Sequence, residues 1–241
     1  MTTYLRSVLA VSVVLAWVSA VPALPWTETG DAGALPDTAQ FTLGAGAGPL
    51  TSISGTLSAT DLTQEDMFVI QVTDPLAFSA TTVGMVGTLE DMQLFLFDAV
   101  GRGVYANDDA GPFTGRSTLP TDRPPGPLTP GLYFLAISGF DRDPESSAGL
   151  IFPADIGPGV FEPNGLGSGA PISSWSGASS QFGSYTILLT GADPVPLSVP
   201  PGGVPTPEPS TIILLGTFVS VGVIYARRRQ RQTVHKSLID G

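Results

Sequence analysis

The spacing of apolar side chains restricts the fold of this chain more than any other feature of its sequence. Large apolar residues recur at every second position in 68–72, 133–137 and 185–189. Alternate side chains of a β-strand lie on opposite faces of a sheet, so this spacing places one row of each segment in a core. The chain also has 29 glycines and 23 prolines in 241 residues, and no long segment with a helical period outside its two ends. The pattern predicts an all-β sandwich or barrel.

Seven segments have the composition of strands, and between them lie two long segments without a period, 110–130 and 152–181. The predicted strands are Leu50–Leu57, Asp66–Val72, Ala77–Val83, Met92–Phe97, Gly103–Ala106, Gly131–Ser138 and Ser184–Thr190. Leu94–Phe97 is apolar throughout, which predicts a central strand covered on both faces. We expect the folded domain to span 41–192, between an N-terminal linker at 24–40 and a proline-rich linker at 193–206.

The inventory of reactive side chains excludes several classes of function. The chain contains no cysteine, which removes disulfides, thiolate metal sites and cysteine nucleophiles. Its one histidine is His235, close to the C-terminus. If that tail lies outside the folded domain, the domain has neither a Ser-His-Asp triad nor a histidine-rich zinc site.

The charge of the central part of the chain is strongly negative. Residues 24–206 contain four arginines (Arg102, Arg116, Arg123 and Arg142) against nineteen acidic residues. Such a surface repels phosphate backbones and argues against nucleic-acid binding, whereas divalent cations are suitable partners. The candidate ligands are Asp108, Asp109, Asp141 and Asp143, in two acidic loops, and the candidate ion is calcium. The alternative is that these side chains cap turns and keep the loops solvated.

The N-terminus has the features of a secretory signal. Arg6 precedes an apolar run from Val8 to Val18, and small residues follow at Ala20 and Ala23. This arrangement predicts a signal peptide at 1–23 that passes through the Sec translocon and is cut by signal peptidase after Ala23, with Ala20 as the second choice. An N-terminal membrane anchor is the alternative, although the apolar run is short for a membrane span.

The C-terminus combines a short apolar run with a cluster of arginines. The 15 residues of Ile212–Ala226 would form about 22 Å of helix, whereas the apolar core of a bilayer is about 30 Å thick. Arg227, Arg228 and Arg229 follow directly, so the tail after them, 232–241, should stay in the cytoplasm and the domain should face outwards.

The order of these C-terminal features resembles the PEP-CTERM sorting signal of bacteria that make extracellular polysaccharide. The motif is Pro207-Glu208-Pro209-Ser210-Thr211, and it precedes the apolar run and the arginines, so that the signal covers 207–231. The resemblance implies that an exosortase recognises the motif and removes the tail. Residues 232–241 extend further past the arginines than the family usually does.

The order of the strands has a second resemblance, over about 50–191. Leu94-Phe95-Leu96-Phe97-Asp98, Asn107-Asp108-Asp109 and the run from Pro130 to Ile137 are similar to segments of the bacterial pre-peptidase C-terminal domain. That resemblance implies a jelly-roll-like β-sandwich that serves as an accessory or binding module and carries no catalytic residues.

Together these features predict an exported, non-enzymatic protein of the cell surface or the extracellular matrix, held in the inner membrane as a precursor, with a structural or adhesive role. One alternative is a hydrolase or carbohydrate-binding protein that acts on extracellular polysaccharide, for which Phe152, Phe161 and Trp175 could stack on sugar rings. Another alternative is a periplasmic protein that keeps its C-terminal helix as a permanent anchor.

Overall fold

The computed structural model describes residues 22–44, 48–58, 64–85, 87–121, 126–127, 129–154 and 157–197. Fifteen strands lie in these ranges, and the described residues contain no helix. The predicted signal helix and the predicted C-terminal helix lie outside the described residues. The strands are β1 (Leu24–Thr27), β2 (Gln40–Phe41), β3 (Leu50–Leu57), β4 (Glu65–Val72), β5 (Ser79–Thr81), β6 (Met92–Asp98), β7 (Gly103–Asn107), β8 (Thr118–Leu119), β9 (Gly131–Gly139), β10 (Arg142–Ser146), β11 (Gly149–Leu150), β12 (Val160–Phe161), β13 (Ile172–Gly177), β14 (Gly183–Thr190) and β15 (Ala192–Asp193).

The strands form three sheets. The central sheet has the order β12-β7-β6-β9-β4-β15, and β2 pairs with β4. An outer sheet has the order β1-β3-β14-β5-β8, and a small sheet has the order β11-β10-β13. Most neighbours are antiparallel, whereas β1 with β3 and β2 with β4 are parallel. The prediction of an all-β fold is therefore confirmed, and its sheets pack as a sandwich with a third layer.

The central sheet is covered on both of its faces. Phe68, Ile70 and Val72 of β4 belong to one core, which they share with residues of the outer sheet such as Ile53 and Ile187. The intervening positions of β4 belong to a second core. The members of that second core are Ala39, Met67, Val69, Phe95, Phe97, Ala106, Ala136, Ile151, Phe152, Ile172 and Val195.

Strand β6 shows this double burial most clearly, because every residue from Met92 to Phe97 is buried. Leu94 and Leu96 pack in the first core, whereas Phe95 and Phe97 pack in the second. Phe95 meets Phe152 at a ring distance of 5.6 Å and Trp175 at 5.5 Å. The sequence prediction that Leu94–Phe97 is a central strand is confirmed.

The predicted linkers differ from the structure where it describes them. Residues 24–40 contain β1, which pairs with β3 over Leu24–Thr27, and Ala32 lies in the first core. After the predicted boundary at 192, Asp193 still pairs with Gln71 of β4, Val195 is buried, and the compact unit ends at Leu197. Strands of two to four residues are too short to show a period, which is why the sequence pattern did not reveal them.

Strand β10 occupies one of the two acidic loops, and strand β13 lies in the long segment 152–181, where no strand was predicted. Ile172 and Trp175 both face the second core although they are three residues apart. The register shifts within this strand pair, because Glu145 faces Ser174 whereas Ser146 faces Ile172. A bulge of this kind adds one residue to a strand and resets its alternation, so the period of two disappears from the sequence.

The double burial of β6 leads to a prediction about stability. Replacing Phe95 by Ala should lower the free energy of unfolding by about 3–5 kcal/mol, because the truncation leaves a cavity between two sheets. The matched control is Phe113→Ala, since the Phe113 side chain is fully exposed and its truncation should change stability by less than about 0.5 kcal/mol. Urea unfolding followed by tryptophan fluorescence measures both values. Equal losses in the two variants would contradict the packing of β6 between two layers.

Candidate functional site

Acidic side chains collect at one edge of the central sheet because four strand ends meet there. Strand β4 begins at Glu65, which pairs with Ser138 near the end of β9. Strand β6 begins next to the same end of β9, and Leu94 of β6 pairs with Asn107 at the end of β7. The first residues of β4, the residue just before β6 and the residues just after β7 are therefore brought to this edge, although they are far apart in the chain.

Glu65 connects the central sheet to the small sheet. Its carboxylate is buried and accepts a charged hydrogen bond from the Arg142 guanidinium of β10. Arg142 also donates to the Gly177 carbonyl of β13 at 2.8 Å. Burial raises the pKa of Glu65, and the nearby Arg142 charge opposes that rise. The side chain therefore has a structural partner and is not free to act as a ligand.

Asp66, the next residue, connects the central sheet to the outer sheet. Its Oδ2 accepts a hydrogen bond from the Tyr185 hydroxyl of β14 at 2.5 Å, and both side chains are buried. Burial raises the pKa of Asp66 to about 8, against the lowering effect of the Tyr185 hydrogen bond, and the charges of Glu28 and Asp31 raise it further. The carboxyl group is therefore largely protonated at neutral pH.

Glu28, Asp31 and Asp66 form the first of two groups in which three carboxylates meet. One oxygen from each side chain lies within 4.8 Å of the others. Glu28 already accepts backbone N–H groups with both oxygens, from Ala32 at 3.0 Å and from Thr56 at 2.9 Å. This first acidic group is thus held by hydrogen bonds within the protein.

Asp91, Asp108 and Asp109 form the second acidic group, in which one oxygen from each side chain also lies within 4.8 Å of the others. Asp91 directly precedes β6, and the other two follow β7. Asp108 is buried, and burial raises the pKa of Asp108 to about 7, with further rises from Asp109, Asp91 and Asp143. Burial also raises the pKa of both Asp91 and Asp109. The nearby charges of Asp109 and Asp91 thus disfavour the ionised form of Asp108.

The structure brings together only part of the predicted calcium set. Asp108 and Asp109 both belong to the second acidic group, with one carboxylate oxygen from each within 4.8 Å of the other. Asp141 lies on the turn between β9 and β10 with a left-handed backbone angle φ of 64°, and Asp143 of β10 accepts a hydrogen bond from Gln93 Nε2 at 3.4 Å. Neither belongs to the second acidic group, although the charge of Asp143 is close enough to affect Asp108.

Asp91 was not among the predicted ligands. The sequence contained little to indicate Asp91 as a ligand. Glu90 and Asp91 directly precede a strand, and polar residues are common at the ends of strands. Only the antiparallel pairing of β6 with β7 places Asp91 beside Asp108, and an acidic pair at the start of a strand does not reveal which strand end lies next to it.

The three aromatic residues that could stack on sugar rings all pack in or against the second core. Phe152 is buried in the second core, where it packs against Phe95 and Phe97. Trp175 packs edge-on against Phe95, and its Nε1 donates to the Ala34 carbonyl at 2.7 Å. Phe161 is half-buried against the same core. Phe152 thus packs within the second core and Trp175 packs against it.

The described surface also contains a cleft between β7 and the start of β9. Asp98, Tyr133 and Glu162 are among the residues that line it. Asp98 Oδ1 accepts the backbone N–H groups of Val100 and Arg102 at 3.0 and 2.9 Å, so this carboxylate closes the turn between β6 and β7. Its engagement in that turn makes Asp98 a poor general acid or base.

Comparison with known proteins identifies one segment of the chain. Residues 205–230 match the PEP-CTERM protein-sorting motif. This match covers the predicted sorting residues Pro207, Glu208, Pro209, Ser210, Thr211, Arg227, Arg228 and Arg229, all of which lie outside the described residues. The chain matches no curated protein. Within the described part of the chain, no helix is long and apolar enough to cross a membrane.

The buried Asp66 carboxyl group predicts a specific dependence of stability on pH. Its folded-state pKa is raised to about 8 from an ordinary value of 3.8, so between these values the folded state holds a proton that the unfolded state has released. The free energy of unfolding should therefore fall as the pH rises from about 4 to about 8. Asp66→Asn keeps an acceptor for Tyr185 but cannot ionise, so its stability should fall less over this range.

Urea unfolding at several pH values, with chelator present, measures this difference. One pKa unit corresponds to about 1.4 kcal/mol, and we expect the wild type to lose at least that much more stability than Asp66→Asn between pH 5 and pH 9. The matched control is Asp74→Asn, an exposed aspartate that caps the turn between β4 and β5. Its curve should parallel the wild type. Parallel curves for the wild type and Asp66→Asn would refute the assignment.

Proposed function

We propose that this chain is an exported bacterial protein that is sorted and processed at its C-terminal signal and then has a structural or adhesive role outside the cell. The observation that carries this proposal is the match of residues 205–230 to the PEP-CTERM protein-sorting motif. The proposed route has three partners: the Sec translocon and signal peptidase for the N-terminal signal, and an exosortase for the C-terminal signal. The final location is the cell surface or the extracellular polysaccharide matrix.

The physical properties of the C-terminal segment support processing at the motif. Ile212–Ala226 is short for a membrane span, and the arginines after it resist transfer, because a guanidinium at the centre of a bilayer costs about 2.5–3.5 kcal/mol on insertion scales. The chain should therefore stop with Pro207-Glu208-Pro209 at the outer face of the membrane. Each proline lacks an N–H and restricts the residue before it, so the motif favours an extended backbone that a protease can bind.

The domain itself supports a role that does not depend on catalysis. It is an all-β sandwich with two apolar cores, and the resemblance of its sequence to the pre-peptidase C-terminal domain implies an accessory or binding module. Among its described acidic groups, Glu65, Asp66, Glu28 and Asp98 are engaged in structural hydrogen bonds. A hydrolase that acts on matrix polysaccharide is the alternative from another class, and no observation on the described residues favours it. Contact with extracellular polysaccharide remains part of the proposal.

Recognition of the Pro-Glu-Pro motif can be tested in the native bacterium. Glu208→Ala should leave the uncut precursor in the inner membrane, if the processing enzyme recognises the carboxylate. Membrane fractionation and the intact mass of the recovered protein measure the outcome. The matched control is Glu162→Ala, which removes an exposed glutamate from the folded domain and should leave processing unchanged.

The same experiment separates the proposal from the remaining alternative. Wild-type protein recovered from the cell surface should have lost Arg227–Gly241. If the wild-type protein still ends at Gly241, the C-terminal helix is a permanent anchor and the processing step is wrong. If Glu208→Ala is cut as efficiently as the wild type, the carboxylate is not recognised.

A further inference from the structure

The second acidic group has a backbone that is fixed without using its carboxylates. The Asp109 carbonyl accepts hydrogen bonds from Asn107 Nδ2 at 2.8 Å and from the Gly159 N–H at 3.1 Å. The Asp91 carbonyl accepts the Phe140 N–H at 3.2 Å, and the Asp108 carbonyl accepts a hydrogen bond from the Ser117 hydroxyl. These main-chain contacts hold the three residues in place, so the meeting of their side chains does not depend on mobile loops.

Asp108 provides the observation that points to a ligand. The residue is only 4% exposed, and its Oδ1 is fully buried without a hydrogen-bond partner. A buried polar atom without a partner costs roughly 1–3 kcal/mol, and more when it is charged. The neighbours increase this cost, because the charges that act on Asp108 from its surroundings are those of Asp109, Asp91 and Asp143.

Within the described ranges, no lysine or arginine side chain forms an ion pair with Asp91, Asp108 or Asp109. The ion pair found there joins Arg142 to Glu65, not to this group. Arg116 forms no ion pair with this group, and its guanidinium lies 4.0 Å from the sulfur of Met92, the residue after Asp91. Asp108 is therefore a buried carboxylate with three acidic neighbours, one oxygen without a hydrogen bond, and no ion pair to a described basic residue.

We propose that Asp91, Asp108 and Asp109 bind one Ca²⁺ ion. Calcium binds oxygen ligands at about 2.3–2.6 Å, so two ligands of one ion are at most about 5 Å apart, and the three carboxylates meet this condition with oxygens within 4.8 Å. The smaller Mg²⁺ needs shorter distances and near-octahedral geometry, which favours calcium. The site offers no nitrogen or sulfur ligand from its three members, so it suits a hard cation.

The proposed ion would connect two parts of the chain that are not joined by backbone hydrogen bonds at these residues. It would tie the residue before β6 to the segment after β7 and neutralise the repulsion among the carboxylates. This assignment differs from the predicted set, because Asp91 replaces Asp141 and Asp143 as a direct ligand. Asp143 acts on the site only as a nearby charge. The assignment does not depend on the sorting signal or on the proposed route of export.

The test uses the full chain in detergent micelles, stripped of metal with chelator and then desalted. Calcium chloride or magnesium chloride is added, and the melting temperature and the heat of binding are measured. Ca²⁺ should raise the melting temperature of the wild type with half-saturation between about 10⁻⁴ and 10⁻³ M, the range of extracellular calcium modules. Mg²⁺ should bind at least about tenfold more weakly.

Two variants and one control locate the site. Asp108→Asn and Asp109→Asn should each weaken Ca²⁺ binding by roughly tenfold or more, because ligand charge sets the affinity. Asp108→Asn should also raise the melting temperature of the metal-free protein, since it removes a buried charge from among like charges. Asp74→Asn makes the same chemical change at the opposite end of β4, where its turn follows Val72, and it should bind Ca²⁺ like the wild type.

The outcomes decide the proposal in either direction. An unchanged melting temperature of the wild type in millimolar Ca²⁺, together with no heat of binding, overturns the site. Equal Ca²⁺ affinity in the wild type and Asp108→Asn moves binding elsewhere, with the group of Glu28, Asp31 and Asp66 as the next place to examine. If Asp108→Asn fails to fold, Asp109→Asn alone decides, because Asp109 is only half-buried.

Discussion

The burial of the central sheet on both faces is the constraint on which the rest of this structure depends. A strand covered on one face needs only one apolar row, whereas β4, β6 and β9 must supply two, and each row needs its own covering layer. The outer sheet covers one face, and the small sheet, together with Leu35 and Ala39, covers the other. Within the small sheet, β13 supplies Ile172 and Trp175 to the second core, where Trp175 packs edge-on against Phe95.

Consecutive residues at the start of β4 fix both outer layers to the central one. Because the side chains of a strand alternate, Glu65 faces the small sheet and Asp66 faces the outer sheet. Glu65 pairs there with Arg142, and Asp66 accepts the hydroxyl hydrogen bond of Tyr185. Each contact joins residues that are distant in the chain, by 77 and 119 positions. The two acids differ in how burial is compensated: Glu65 keeps a cationic partner, whereas Asp66 keeps its proton.

The sequence predicted those parts of the fold in which side-chain alternation was long enough to be read. Leu50–Leu57 is identical to β3, and the predicted strands around 66–72, 92–97 and 131–138 differ from β4, β6 and β9 by one residue at one end. Strands shorter than five residues contain too few alternating side chains for a period to be recognised. Strand β13 is longer, but its bulge interrupts the alternation of buried and exposed side chains. The acidic site was half predictable for a related reason. Asp108 and Asp109 are adjacent in the sequence, but Asp91 joins them only through the pairing of β6 with β7, and no local pattern encodes that pairing.

A fold without cysteine must join distant segments by means other than disulfides. In a disulfide, a covalent bond limits the freedom of the unfolded chain, whereas the contacts described here act only once the sheets have formed. They therefore stabilise the folded state according to the conditions around it: the Asp66 contact responds to pH, and the proposed calcium site responds to the concentration of the ion. Each of the three links starts from a carboxylate at the same edge of the central sheet. Two of these carboxylates, those of Glu65 and Asp66, thus join the layers of the fold.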